Sequence, residues 1–168
     1  MIKKFLDLGM QPLANKYLTK KDIIKKNKEQ FYHLEVGFNS KTKLVSIINT
    51  VPSKKMFDGN YPYKSSMSRT MILSFKKLAK NLIKTYNPNS ILEIGSNDGP
   101  FIRNFSKKKV ICVEPCKNLA IITKRMGYKT YASFWNMRLA KKIKSKTEKV
   151  ELIYSANTLS HINDLNSV

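Results

Sequence analysis

Ser90-Ile-Leu-Glu-Ile-Gly-Ser-Asn-Asp-Gly-Pro-Phe101 is the stretch of sequence that decides the fold. Its first half, residues 90–94, is a short apolar run with β-branched side chains, which is typical of a buried parallel strand. Gly95 and Gly99 bracket a polar turn, and Pro100 suits the first turn of a helix, where its missing N–H is not needed. A strand, a glycine turn and a helix N-terminus predict a site for a nucleotide-like ligand.

The acids around this turn indicate which ligand it would bind. The turn lacks the middle glycine of the dinucleotide-binding pattern Gly-x-Gly-x-x-Gly, and Glu93 and Asp98 would repel a pyrophosphate. A second apolar strand, residues 110–113, ends in Glu114, an acid placed to hold a ribose diol. Two acids around a glycine turn, followed by a third acid, predict a site for S-adenosylmethionine, whose sulfonium and ammonium groups are positive. The alternative is a glycine turn in some other α/β protein.

The charge of the chain first suggests a nucleic-acid ligand. The 168 residues carry a formal net charge of +21. Only 4 of the 32 basic residues are arginine, whereas bidentate recognition of phosphate or guanine prefers arginine. The lysines are also spread along the whole chain. We therefore expect most of them to fill solvent-facing positions, and nucleic-acid binding is the least favoured of the interpretations below.

The sequence favours a cytoplasmic protein. It contains no run of 18 or more apolar residues that could span a membrane, and its first residues do not form a signal peptide. Its two cysteines, Cys112 and Cys116, lie near the end of the second strand, with too few further Cys or His nearby for a zinc site. A reducing compartment is therefore the expected location.

The first half of the chain predicts a small β region and a long helix. Residues 31–38 and 43–48 have a strand pattern, and the turn residues between them indicate a β-hairpin. Residues 1–30 show a mixed pattern with a turn-rich start, and residues 52–64 form an aromatic loop with Pro and Gly. A helix follows, capped by Ser65 or Ser66 and running to about Tyr86, with a Met and aromatic stripe for packing on the sheet.

The second half alternates strands and helices, which predicts a parallel sheet with right-handed crossovers. Strands are expected at 90–94, 109–113, 129–132 and 150–155, and helices at 100–106, 117–126 and 134–144. A methyltransferase sheet of this type has about seven strands, so four would leave the substrate-facing edge incomplete. We expect a truncated chain, in which a second chain could supply the missing strands.

Four separated motifs carry a resemblance to a known family. They are residues 7–15 (DLGMQPLAN), 56–66 (MFDGNYPYKSS), 93–99 (EIGSNDG) and 157–164 (NTLSHIND). In this order they resemble the bacterial sugar C-methyltransferases, which act on nucleotide-linked 4-keto-deoxysugars. The resemblance implies an α/β fold: a partial Rossmann-like class I methyltransferase domain, residues 61–168, preceded by a zinc-binding-like region, residues 1–60.

The resemblance also implies a zinc site, but this sequence lacks the cysteines that would form it. The family's first cysteine pair would precede Asp7, and its second pair would lie at about Asn39 and Thr42, which cannot replace thiolates. We therefore predict no metal and no zinc, and a hairpin that folds by packing alone. The C-terminal domain of the family and its downstream acid–base residues are also absent from this sequence.

The resemblance assigns cofactor-binding roles to nine residues. Those around the glycine turn line the methionine end of S-adenosylmethionine, Glu114 holds the ribose, Phe134 flanks the adenine and Asn157 closes the pocket. Phe134 could equally be a core aromatic at a helix start. The turn residues are Glu93, Gly95, Ser96, Asn97, Asp98 and Gly99.

Two residues are candidate catalytic groups by the same resemblance. Tyr63 matches the family's active-site tyrosine and would hydrogen-bond near the keto group, with Tyr61 as the nearby alternative. His161 matches the histidine after the fourth strand and could polarise the keto oxygen or relay a proton, although a lone histidine is more often a surface or capping group. His33 is expected to be structural.

Three interpretations of function follow. The leading one is an N-terminal piece of an S-adenosylmethionine-dependent C-methyltransferase that acts on a nucleotide-sugar substrate; being truncated, it would at most bind the cofactor weakly. The second is a non-catalytic remnant or scaffold that keeps the cofactor-binding fold. The third is a basic nucleic-acid-binding protein or nucleic-acid methyltransferase, which would show a steep salt dependence of binding.

Overall fold

The chain folds as two units, Met1–Met56 and Phe57–Val168, in a computed structural model. The structure describes residues 1–24, 29–147, 149–162 and 168. Each unit has its own β-sheet: an antiparallel one in the first unit and a parallel one in the second. The fold is therefore α/β in its second unit, with a separate small β unit before it.

The first unit is a three-stranded antiparallel sheet in which the strands lie side by side in their order along the chain. Its register pairs Met10 with His33 and Val36 with Ile47. One short helix lies between the first and second strands in the sequence, and another follows the third strand. The elements are β1 (Ile2–Pro12), α1 (Lys20–Ile24), β2 (Phe31–Asn39), β3 (Leu44–Ile47) and α2 (Ser53–Met56).

The predicted hairpin is confirmed by β2 and β3, but the prediction of a mixed, turn-rich start was wrong. Residues 2–12 form β1, whose pairing with β2 shifts register between Lys4 and Leu6 and again between Asp7 and Met10. Gly9 has a φ of 66°, and the Asp7 carboxylate accepts a hydrogen bond from its N–H at 2.9 Å. The turn-forming residues Asp7 and Gly9 thus produce a bulge-like irregularity within β1 and do not end the strand.

The second unit contains four parallel strands in the order β6-β5-β4-β7, which confirms the predicted parallel sheet. The strands are β4 (Ile91–Ile94), β5 (Val110–Val113), β6 (Lys129–Tyr131) and β7 (Leu152–Ser155). Every residue of β4 and β5 is buried. Central parallel strands are covered on both faces, which explains their continuous apolar sequences.

Helices and turns cover the two faces of this sheet. One face carries Ile91 and packs against Phe75, Phe101 and Tyr128, while the other carries Leu92 and Ile94. The helices are α3 (Arg69–Tyr86), α4 (Lys117–Arg125) and α5 (Met137–Lys144). None of the helices in the described part of the chain has the length and hydropathy that crossing a bilayer requires.

The long helix α3 begins later than predicted. Ser65–Met67 is a 3-10 turn, and the N-cap is Ser68, whose side chain accepts a hydrogen bond from the Met71 N–H at 3.2 Å. The helix ends at Asn87, which has the left-handed φ of 40° typical of such ends. The prediction that Ser65 or Ser66 caps the helix was wrong, because Ser66 binds an acid elsewhere in the unit.

The predicted helix over 100–106 was also wrong. Only Ile102–Asn104 form a short 3-10 turn. The Asn104 side chain donates hydrogen bonds to the carbonyls of Pro100 and Phe101, at 3.1 and 2.8 Å. Such side-chain bonds compete with the helical ladder and favour a turn. The last helix begins at Met137 rather than at 134, with Asn136 as its N-cap.

Candidate functional site

The glycine turn lies at the carboxyl end of β4, next to β5. Gly95 and Ser96 both donate their N–H groups to the Val113 carbonyl, at 2.8 and 3.2 Å. Gly95, Asn97 and Gly99 have φ values of 78°, 48° and 86°, in the region that glycine tolerates best. These positive φ values fold the chain back over the end of the sheet and bring acids from two strands together.

Glu114 follows β5 and holds this turn in place. Its carboxylate accepts hydrogen bonds from the N–H groups of Asn97, at 2.7 Å, and Cys116, at 2.9 Å. Burial raises the pKa of Glu114, and the two N–H donors oppose that rise because they favour the charged form. Glu114 is only 4% exposed, so its carboxylate is buried beneath the turn that it holds.

Glu93 is a buried acid with an unsatisfied oxygen. Glu93 is 3% exposed. Among the described residues, neither Glu93 Oε2 nor the Ser96 hydroxyl has a hydrogen-bond partner. Burial, and then the neighbouring Glu114, raise the pKa of Glu93 well above its usual value. Burial therefore disfavours the charged form of Glu93, and a nearby cation would favour its ionisation.

Asp98 is engaged with a different part of the unit. Its carboxylate accepts hydrogen bonds from the N–H of Ser66, at 3.1 Å, and from the Ser66 hydroxyl. Arg103 donates to the Asp98 carbonyl at 3.0 Å. Neither Ser66 nor Arg103 was predicted to act at the site, although Ser66 belongs to the motif over residues 56–66.

Of the candidate catalytic residues, His161 and the alternative tyrosine Tyr61 contact the ring of Phe57. The Phe57 ring lies 5.4 Å from the ring of Tyr61 and 5.3 Å from that of His161, measured between centroids. The Tyr63 side chain is 47% exposed, and its carbonyl accepts a hydrogen bond from Asn97. The structure thus brings Tyr61, the alternative tyrosine, against the same ring as His161.

The remaining predicted site residues lie on the loops after β6 and β7. Phe134 is half-buried, and its carbonyl accepts a hydrogen bond from the Asn136 side chain at 3.4 Å. Asn157 is exposed and has a φ of 52°. Next to it, Thr158 covers the glycine turn so closely that a Cβ at Gly95 would collide with its hydroxyl. The last two residues of the motif 157–164 lie outside the described residues.

Comparison with known proteins indicates what the chain is similar to. Residues 1–57 match a family model described as "Putative zinc binding domain". Over 168 residues the chain is 23% identical to C-methyltransferase NovU of Streptomyces niveus. The two matches support a sugar C-methyltransferase-like family. This confirms the family indicated by the four motifs, over its N-terminal portion. The match covers 97% of this chain but 39% of the relative, so the chain spans about two fifths of the length of that protein.

The family description raises the question of zinc in the first unit. Residues 1–57 contain no cysteine. Among the described residues, Asp7, His33 and Glu35 bring one possible ligand atom each to within 4.8 Å of one another. An imidazole and two carboxylates are ligand types that zinc accepts, although structural sites usually have four ligands and often use thiolates.

The Lys4 ammonium already lies between these carboxylates. It is 3.1 Å from Asp7 Oδ2 and 2.6 Å from Glu35 Oε1, and His33 Nε2 is 2.8 Å from Asp7 Oδ1. The Gly9 N–H, then His33 and Lys4, hold the pKa of Asp7 well below its usual value. A zinc ion would have to compete with Lys4, so these residues fit a metal poorly. That the unit binds no zinc stays a prediction.

Proposed function

We propose that the second unit forms the cofactor-binding region of a methyltransferase that uses S-adenosylmethionine to methylate a carbon of a nucleotide-linked keto-sugar. One observation carries the proposal: Glu93 in β4 and Glu114 directly after β5 lie toward the carboxyl ends of neighbouring parallel strands, beside a turn with three positive φ values. The carboxyl ends of parallel strands are where such folds bind ligands.

The residues at this turn suit a cationic cofactor. Among the described residues, Glu93 keeps one buried oxygen without a hydrogen-bond partner, and the buried Ser96 hydroxyl also has none. Buried polar atoms without partners are costly, and a ligand that donates hydrogen bonds removes the cost. When bound, S-adenosylmethionine supplies an electrophilic methyl group. We propose that Glu93, Ser96 and Asp98 face its methionine end and that Glu114 supports the ribose.

The aromatic residues are proposed to serve the sugar. Methylation at carbon requires removal of a proton next to a keto group and stabilisation of the resulting enolate. We assign Tyr63, with Tyr61 as the alternative, to a hydrogen bond near the keto oxygen. His161 would polarise that oxygen or relay the proton. The contacts of Phe57 with Tyr61 and His161 support a shared site for these groups.

The cofactor proposal is tested by calorimetric titration with S-adenosylhomocysteine. We expect binding to the unaltered chain and a roughly tenfold to hundredfold loss in Glu114→Gln, since hydrogen bonds to charged groups contribute about 1.5–3 kcal/mol. Glu151→Gln is the matched control. Glu151 also accepts a backbone hydrogen bond, from Asn89 at 2.7 Å, but it lies just before β7, at the opposite end of the sheet.

Two results would contradict the proposal. One is the absence of binding to the unaltered chain at millimolar ligand. The other is an equal loss of affinity in Glu114→Gln and Glu151→Gln, which would show that the ligand responds to overall charge rather than to the glycine turn.

A further inference from the structure

The loop that carries the aromatic residues is held by side-chain amides rather than by apolar packing alone. We define residues 57–64 as the aromatic segment. Asn118, in the first turn of α4, donates from Nδ2 to the Tyr61 carbonyl at 2.8 Å. Asn97, in the glycine turn, donates from Nδ2 to the Tyr63 carbonyl at 3.3 Å. Two asparagines distant in sequence therefore fix the backbone of the segment that presents both candidate tyrosines.

The end of the aromatic segment is attached to the same glycine turn. The Ser65 N–H donates to Asn97 Oδ1 at 2.8 Å, and Ser66 binds the Asp98 carboxylate through its N–H and its hydroxyl. The amide of Asn97 thus receives a bond from Ser65 and gives one to Tyr63. Any shift of the turn must move the aromatic segment with it or break these bonds.

The glycine turn is in turn connected to the acid after β5. The Asn97 N–H donates to Glu114 Oε2, and the Cys116 N–H donates to the other oxygen of Glu114. Asn118 lies two residues after Cys116, and its Oδ1 is buried without a hydrogen-bond partner among the described residues. Two routes therefore lead from Glu114 to the segment: one through Asn97, the other along the chain to Asn118.

From this network we infer that Asn97 and Asn118 are positioning residues, which couple binding at the glycine turn to the placement of the aromatic segment. The inference rests on the proposed function, because it assumes that the glycine turn binds the cofactor and that the aromatic segment contacts the sugar substrate. Transfer of a methyl group between two bound molecules requires that both be aligned and that water be excluded. A hydrogen-bonded connection between the two sides provides that alignment.

The test is hydrogen–deuterium exchange of the full chain, read on peptides from residues 57–66, with and without S-adenosylhomocysteine. In Asn118→Ala without ligand, we expect these amides to exchange about tenfold faster than in the unaltered chain, since one lost hydrogen bond corresponds to about that factor. With ligand, the segment should become protected in the unaltered chain but much less in Asn118→Ala. By reciprocity, the variant should also bind the ligand more weakly.

Asn104→Ala is the matched control, because the Asn104 amide also donates to backbone carbonyls, but only to those of Pro100 and Phe101. It should leave exchange of the aromatic segment unchanged. Asn118→Asp, which keeps the size of the side chain but removes the donor, serves if Asn118→Ala does not fold. Circular dichroism establishes that each variant is folded.

Each outcome decides a separate point. Unchanged exchange of residues 57–66 in both Asn118 variants, or equal acceleration in Asn104→Ala, would overturn the positioning role. Ligand binding without any protection of the segment would overturn the coupling alone. No ligand binding to the unaltered chain would overturn the proposed function and the coupling together, while the comparison without ligand still tests whether Asn118 holds the segment.

Discussion

In the parallel sheet every residue of β4 and β5 is buried, whereas in the N-terminal sheet every residue of β3 is exposed. Within β2 only Gly37 is buried. The two sheets also place their charges differently. The parallel sheet encloses Glu93 and Glu114 at its end, and the N-terminal sheet holds Lys4, Asp7 and Glu35 in an exposed or partly exposed network.

This difference shows that strand pairing alone does not make a core. Burial of apolar surface is the main favourable term in folding, at about 25 cal/mol per Å², while exposed ion pairs contribute about 0–1 kcal/mol. The second unit therefore owes its stability to its interior. In the first unit, large apolar side chains such as Phe5, Met10 and Val45 remain at least half exposed. The following predictions test this contrast.

The largest effect is expected in the core of the second unit. Phe101 is fully buried and stacks on Tyr154, with 4.0 Å between the ring centroids. Phe101→Ala should destabilise the unit by about 3–5 kcal/mol, because it removes packing on several sides. Phe5→Ala is the matched control in β1; since Phe5 is 60% exposed, the same substitution should cost less than about 1 kcal/mol.

Urea unfolding measures both variants. Circular dichroism follows the whole chain, and the fluorescence of Trp135, the single tryptophan, reports on the second unit. Equal losses of stability in Phe101→Ala and Phe5→Ala would mean that the two sheets do not differ in the way that their burial indicates.

A second, smaller effect concerns the buried acid. Because burial raises the pKa of Glu93, its neutral form contributes stability that is complete below the unfolded-state pKa of about 4.3 and is lost as pH rises toward the folded-state value. Glu93→Gln should therefore be more stable than the unaltered chain at pH 8, with an advantage that shrinks toward pH 4.5. Urea unfolding at both pH values measures it.

Glu151→Gln provides the control for this pH dependence, because Glu151 is exposed and its substitution should shift stability little at either pH. A Glu93→Gln variant whose advantage is the same at pH 4.5 and pH 8 would show that folding does not raise the pKa of the Glu93 carboxyl. The stability that Asp7 contributes should have the opposite pH dependence. Because the pKa of Asp7 is lowered in the folded chain, its charged form stabilises the fold at pH values above the unfolded-state pKa, and this stability is lost as pH falls through the folded-state pKa.

The smallest effect is expected from metal removal. Lys4 already provides a positive charge between Asp7 and Glu35, so EDTA should leave the hydrogen exchange of β1 and β2 unchanged, and added zinc should not protect them. Lys4→Ala is the comparison variant: it should speed exchange slightly, and less so at high salt, since exposed pairs are screened. Unfolding of the first unit by EDTA would show that a metal holds it together.

Much of the parallel sheet could be predicted because its signals are local. The apolar runs at Ile91–Ile94 and Val110–Val113 are continuous, and glycine at positions 95 and 99 marks the turn. The start of the chain was harder. The Asp7 and Gly9 pair is typical of a turn, but pairing with β2 keeps residues 2–12 extended and absorbs the turn as an irregularity.

The sequence alone therefore determined the succession of the four strands of the second unit and the acids placed around the glycine turn, because these depend on neighbouring residues and on hydrophobic period. Tertiary structure decided what those acids touch. Asp98 binds Ser66, which is 32 residues earlier, and Asn118 binds the Tyr61 carbonyl, 57 residues away. A hydrogen bond between distant residues depends on how the chain packs, and nothing in the pattern around either residue encodes its partner.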